Sequence, residues 1–113
     1  MSKYMQIDIR LLPFYERRFK ERFPNIANLL KGMSYTELVE KGVSFYEMAD
    51  ALEAIAENPD MPSDLRDAIS PYVEKIMRLK EVAREHLLAR RLNELDQALY
   101  RMEDVFEDLE GAL

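Results

Sequence analysis

Leu88-Ala89-Arg90-Arg91-Leu92-Asn93-Glu94-Leu95-Asp96-Gln97-Ala98-Leu99-Tyr100-Arg101-Met102-Glu103-Asp104-Val105-Phe106-Glu107-Asp108-Leu109 is the stretch whose reading decides the fold. Within it Leu88, Leu92, Leu95, Leu99, Met102, Phe106 and Leu109 recur at alternating spacings of four and three residues. This is a hydrophobic seam about three heptads long. No glycine or proline interrupts it before Gly111. A 3.5-residue period lays an apolar stripe along one side of a helix, and the stripe needs a partner helix to cover it. These seven residues are therefore the candidate interface.

Upstream, Tyr72, Ile76, Leu79, Ala83 and Leu87 follow a different phase. The adjacent Leu87 and Leu88 mark the shift, as a stutter would. Ser70 followed by Pro71 has the form of an N-cap and a first-turn proline. From Pro71 to Leu109 nothing obvious stops a helix. Unbroken, it would be about 58 Å long. A compact domain of 113 residues has a radius of gyration near 13 Å, so it is roughly 34 Å across. Two solutions exist. The helix protrudes and pairs with a second copy, or it breaks within Arg90-Arg91-Leu92-Asn93-Glu94-Leu95-Asp96. There basic residues suit a helix end, Asn93 can cap, and acidic residues suit a first turn. The seam keeps its phase through Asn93, so the expectation is one continuous helix, straight or bent.

The N-terminal half divides into shorter pieces. Ile9, Leu12, Tyr15, Phe19 and Phe23 have helical spacing, with Pro13 at the start or at a kink. Pro24 ends that helix and opens a second, which carries Ile26, Leu29 and Leu30 and closes at Gly32. Ser34/Glu37 and Ser44/Glu47 each have the S-x-x-E form of a capping box. The first starts a third helix that Gly42 ends, and the second starts a fourth from about Phe45 to Glu57. Pro59 and Pro62 mark a loop over 58–63, after which Ser63 can cap a helical turn. The expected fold is a single all-α domain over 1–113. Several short helices occupy 5–57, and a long, straight or kinked helical spine occupies 64–110.

Composition narrows the function classes. Hydrophobic residues make up 48% of the chain and charged residues 34%, which suits a globular chain. There is no cysteine, which removes disulfides and thiolate chemistry. No apolar stretch approaches a membrane span, and Asp8 and Arg10 interrupt anything resembling a signal peptide. The expectation is a cytoplasmic protein with no membrane partner. The net charge of −6 is unevenly spread. Residues 1–31 hold seven Lys/Arg against three Asp/Glu, and residues 32–70 hold two against nine. An acidic chain has no general attraction for nucleic acid. Arg17, Arg18 and Arg22 still form a candidate basic patch, interleaved with Phe14, Tyr15, Phe19 and Phe23 as on RNA-binding surfaces. The i, i+4, i+8 spacing of Tyr15, Phe19 and Phe23 makes those aromatics a core stripe first.

Residues Ser34–Leu52 have the form of a helix-turn-helix, with two capped helices joined by Lys41-Gly42-Val43-Ser44. The second helix carries Glu47, Asp50, Glu53 and Glu57 and no Lys or Arg, so each phosphate contact would be repulsive. Glu37, Glu40, Glu47 and Asp50 spell E-x-x-E followed by E-x-x-D. That order resembles the magnesium-binding carboxylates of the all-α nucleotide pyrophosphohydrolases of the MazG and dimeric dUTPase type. The resemblance implies Mg²⁺-dependent phosphohydrolysis at those four residues. Only six residues separate the two halves here, Gly42 among them, whereas that family sets them farther apart on two full helices. His86 is the only histidine, too few for a His-rich metal site. The C-terminal acids Glu103, Asp104, Glu107, Asp108 and Glu110 are unfavourable to a helix dipole. They form a solubilising tail or meet the basic residues of the first helix. With no catalytic or cofactor constellation, the expected function is a non-enzymatic protein–protein interaction module. It would act as an adaptor, chaperone-like factor or assembly subunit, as a homodimer through the Leu88–Leu109 seam or with another protein, without a cofactor or a nucleic-acid partner. The alternatives are a helix-turn-helix-like DNA-binding regulator using residues 34–52 and a Mg²⁺-dependent all-α nucleotide pyrophosphohydrolase.

Overall fold

A computed structural model describes residues 11–13 and 18–113. Its helices are α1 (Phe19–Arg22), α2 (Pro24–Gly32), α3 (Thr36–Lys41), α4 (Phe45–Glu57), α5 (Ser63–Leu88) and α6 (Leu92–Ala112). Among the described residues there is no strand, so the all-α bundle is observed. The parts of the expected first helix at Ile9 and at Phe14–Arg17 lie outside the described residues.

The long C-terminal stretch is not one helix. It ends at Leu88, turns through Ala89-Arg90-Arg91 and resumes at Leu92. Arg90 takes a left-handed backbone, φ 57°. The Arg91 N–H donates to the His86 carbonyl at 2.9 Å and the Arg90 N–H to the Leu87 carbonyl at 3.2 Å. These six-to-one and five-to-two bonds form a Schellman turn with arginine where glycine is usual. Asn93 lies inside α6 and caps nothing. The chain folds back, and α5 and α6 pack along most of their length.

Magnitudes explain why the turn forms without glycine. A left-handed L-residue costs about 1–2 kcal/mol. The turn lets α5 and the short helices cover Leu95, Met102, Phe106 and Leu109, all buried. Full burial of such side chains stabilises by about 1.5–3 kcal/mol each, several times the cost of the turn.

Serines account for most other differences from the expected elements. Ser44 caps α4, its Oγ accepting from the Glu47 N–H at 3.3 Å. Ser34 caps nothing, because α3 starts at Thr36 after Tyr35. Instead Ser34 is left-handed, φ 71°, and closes α2. The Tyr35 N–H reaches the Leu30 carbonyl at 2.8 Å, a second Schellman turn without glycine. Ser63 is the first residue of α5 rather than its cap, and Ser70-Pro71 does not open a new helix. Pro71 removes the N–H that the Asp67 carbonyl would accept from. Both residues are exposed, so water reaches that carbonyl. The Ser70 Oγ donates to the Arg66 carbonyl at 2.6 Å.

The main core gathers every described helix. Phe19, Phe23, Phe45 and Phe106 form an aromatic cluster, with Phe45 and Phe106 ring centroids 4.6 Å apart. Ile26, Leu30, Met48, Leu52, Ile55, Ile69, Ile76, Met102 and Leu109 surround it, fully buried. A smaller cluster lies towards the turn, where Ala83, Leu95 and Ala98 pack with Leu11, Tyr46, Leu87 and Leu99. Alanines there allow α5 and α6 to approach closely. The α5–α6 pair stretches the molecule to 53 × 25 × 24 Å.

Two substitutions probe this account by urea denaturation. Arg90→Gly is expected to stabilise the fold by up to about 1 kcal/mol, since glycine carries no Cβ penalty at positive φ. Phe106→Ala is expected to cost about 3–5 kcal/mol, because it empties the centre of the aromatic cluster.

Candidate functional site

The folded-back spine divides the seam. Leu95, Met102, Phe106 and Leu109 lie in the chain's own core, and Leu99 is half-buried. Leu88 and Leu92, beside the turn, are 68% and 57% exposed. The structure therefore does not present the seven candidate interface residues as one open stripe. Next to the exposed pair, Arg91 Nε donates to His86 Nδ1 at 2.9 Å.

Of the candidate basic patch, Arg17 lies outside the described residues. Arg18 is exposed. Arg22 turns to α6, its Nη2 lying 2.7 Å from Glu107 Oε1. Glu110, one turn further on, caps α2 from a distance. Its carboxylate accepts from the backbone N–H of Asn25 at 2.9 Å and of Ile26 at 3.0 Å. Asn25 Nδ2 donates back to the Glu110 carbonyl at 3.3 Å. Phe23 at the N-cap of α2 has no side-chain acceptor, so a carboxylate from α6 supplies it. The C-terminal acids thus include two that meet the first helices rather than form a free tail.

Burial first, then Glu107, Asp104 and Asp96, raise the pKa of Glu103 above its ordinary value. The charged form of Glu103 is thus disfavoured in the folded chain. Its favourable contribution to stability is full below the ordinary carboxylate range and fades as pH rises through the raised pKa.

Three of the four carboxylates of the pyrophosphohydrolase resemblance lie beside lysines. Glu37 lies 3.9 Å from Lys41, and Glu40 lies 3.6 Å from Lys31 and 4.0 Å from Lys20. Glu47 is exposed in the first turn of α4. Asp50 meets Lys80 Nζ at 2.6 Å. Lys80, which the sequence reading passed over, is only 12% exposed and also sits 4.6 Å from the Tyr46 ring centroid. It ties α5 to α4. Among the described residues no three Asp, Glu, His or Cys side chains converge as metal ligands would. The α3–α4 pair turns at Gly42, φ 63°, and α3 has only six residues. Glu47, Asp50 and Glu57 are exposed on α4.

Two surface grooves flank α5. One, of about 390 Å³, runs between α4 and α5 past Glu53, Ala56, Glu57, Val73, Glu74 and Met77. The other, about 270 Å³, lies between α5 and α6 and is lined by Lys75, Arg78, Leu79, Val82 and Val105. Arg78 borders both. No helix among the described residues is long and apolar enough to cross a membrane. Comparison with protein families, curated proteins and solved structures finds no match.

Two measurements test these local assignments. Glu110→Ala is expected to cost about 1–2 kcal/mol, as loss of a helix cap does, and Glu107→Ala under about 1 kcal/mol, as for an exposed ion pair. In thermal melts, Glu103→Gln is expected to raise Tm at pH 7, with the gain shrinking as pH falls through the raised pKa of the native carboxyl.

Proposed function

We propose that this chain is a non-enzymatic helical interaction module that works as a homodimer, in the role of an adaptor or assembly subunit. The observation that carries this reading is apolar surface left open on the α5–α6 pair. Val82, Leu88, Leu92 and Tyr100 are all exposed there, and the groove of Leu79, Val82 and Val105 is uncovered. Core packing uses most of the seam and leaves these side chains in water. A partner that covers them recovers about 25 cal/mol for each Å² of apolar surface removed from water.

The enzymatic and DNA-binding readings gain nothing from the geometry. Lysines engage Glu37, Glu40 and Asp50, and α4 offers phosphates no cation. Sedimentation equilibrium tests the dimer. The expected mass at roughly 10–100 μM is twice 13.3 kDa, in the affinity range of modest interfaces. A mass of 13.3 kDa throughout that range would contradict the proposal.

A further inference from the structure

On a helix with 100° between residues, Ser70, Val73, Glu74 and Met77 fall on one flank of α5, and Lys75, Leu79 and Val82 on the other. Arg78 stands between them, on the outer ridge. The α4-side groove has an apolar floor of Ala56, Val73 and Met77 and three carboxylates, Glu53, Glu57 and Glu74. The opposite flank and the ridge carry Lys75 and Arg78. None of these five charged side chains has an ion pair or hydrogen bond among the described residues. By contrast Lys20, Arg22, Lys31, Lys41 and Lys80 all lie within ion-pair distance of a carboxylate. Unpaired carboxylates thus line one flank of α5, with Lys75 on the other flank and Arg78 on the ridge between, beside partly exposed apolar side chains.

We infer that a second copy of this chain docks here, the α5 ridge of each copy lying in the α4–α5 groove of the other. This rests on the dimer reading above and places its interface. Symmetry selects the arrangement. A twofold axis across α5 would face each groove with its like, acid against acid. A twofold axis running along α5 sets the two α5 helices parallel and exchanges the flanks. Lys75 and Arg78 of one copy then meet Glu53, Glu57 and Glu74 of the other, and the contact repeats by symmetry. Arg78 and the neighbouring methylenes cover the apolar floor, as long basic side chains do. Such an interface is self-complementary in charge, which fixes its register and disfavours other partners.

Charge exchange tests this. The double variants Lys75→Glu/Arg78→Glu and Glu53→Lys/Glu57→Lys alter exposed or half-buried surface positions. Each alone should raise the dimer dissociation constant about tenfold or more, because like charges then face each other. Mixed in equal amounts, the two variants should pair as a heterodimer with near wild-type affinity. Circular dichroism establishes that each is folded, and the heterodimer is itself proof that both are. Wild-type dimers that neither variant weakens, or weakened variants that do not recover on mixing, would overturn this interface and leave the dimer reading standing. A wild-type monomer would overturn both.

Discussion

One backbone conformation governs this molecule: the left-handed Arg90, which reverses the chain between α5 and α6. Without it the spine is a rod longer than the domain, and its apolar stripe has nothing to pack on. With it, one half of the spine becomes the partner of the other. The turn has two Schellman hydrogen bonds and the Arg91–His86 contact to hold it. Its local cost is small beside the burial it permits.

The short helices depend on that hairpin in turn. α1 and α3 have four and six residues, too few to persist alone. They hold because Phe19, Phe23 and Val39 join a core that α6 completes with Met102, Phe106 and Leu109. The C-terminus of α6 also supplies the carboxylate that caps α2. Residues 85 positions apart in sequence thus finish each other's backbone hydrogen bonding. At the start of α4 the Ser44 hydroxyl caps the helix, and the Lys80–Asp50 pair ties the helix to α5.

The all-α class was legible because apolar periodicity survives any rearrangement of the helices. So were the α4 cap at Ser44 and the turn at Gly42, where local chemistry and tertiary packing agree. The segment Arg90–Asp96 was legible as a place where the spine could break, but the break itself was not, because the usual marker, glycine, is absent and burial elsewhere in the chain drives the reversal. The seam's unbroken phase misled for a related reason. Leu88 and Leu92 continue the pattern but lie at the turn, outside the core it describes. Ser34 and Ser70 show that a small hydroxyl residue fits a left-handed helix end or a helix interior as well as an N-cap, so the S-x-x-E and Ser-Pro patterns were ambiguous. The surface was least legible. Which acids find lysines and which stay unpaired depends on how α4, α5 and α6 are set together, and no spacing rule contains that.

The reversal moves most of the seam inside and leaves Val82 and Leu88 of α5 and Leu92 and Tyr100 of α6 exposed. The direct test is a distance across the turn. The chain has no cysteine, so Asp67→Cys and Asp108→Cys, both exposed, introduce two specific spin-label sites. The labelled chain is diluted into excess unlabelled chain so that only distances within one molecule are read. Packed helices lie about 8–10 Å apart, so the folded-back hairpin predicts a label separation below roughly 30 Å. A separation near about 60 Å, the span of a continuous helix between those residues, would contradict the account.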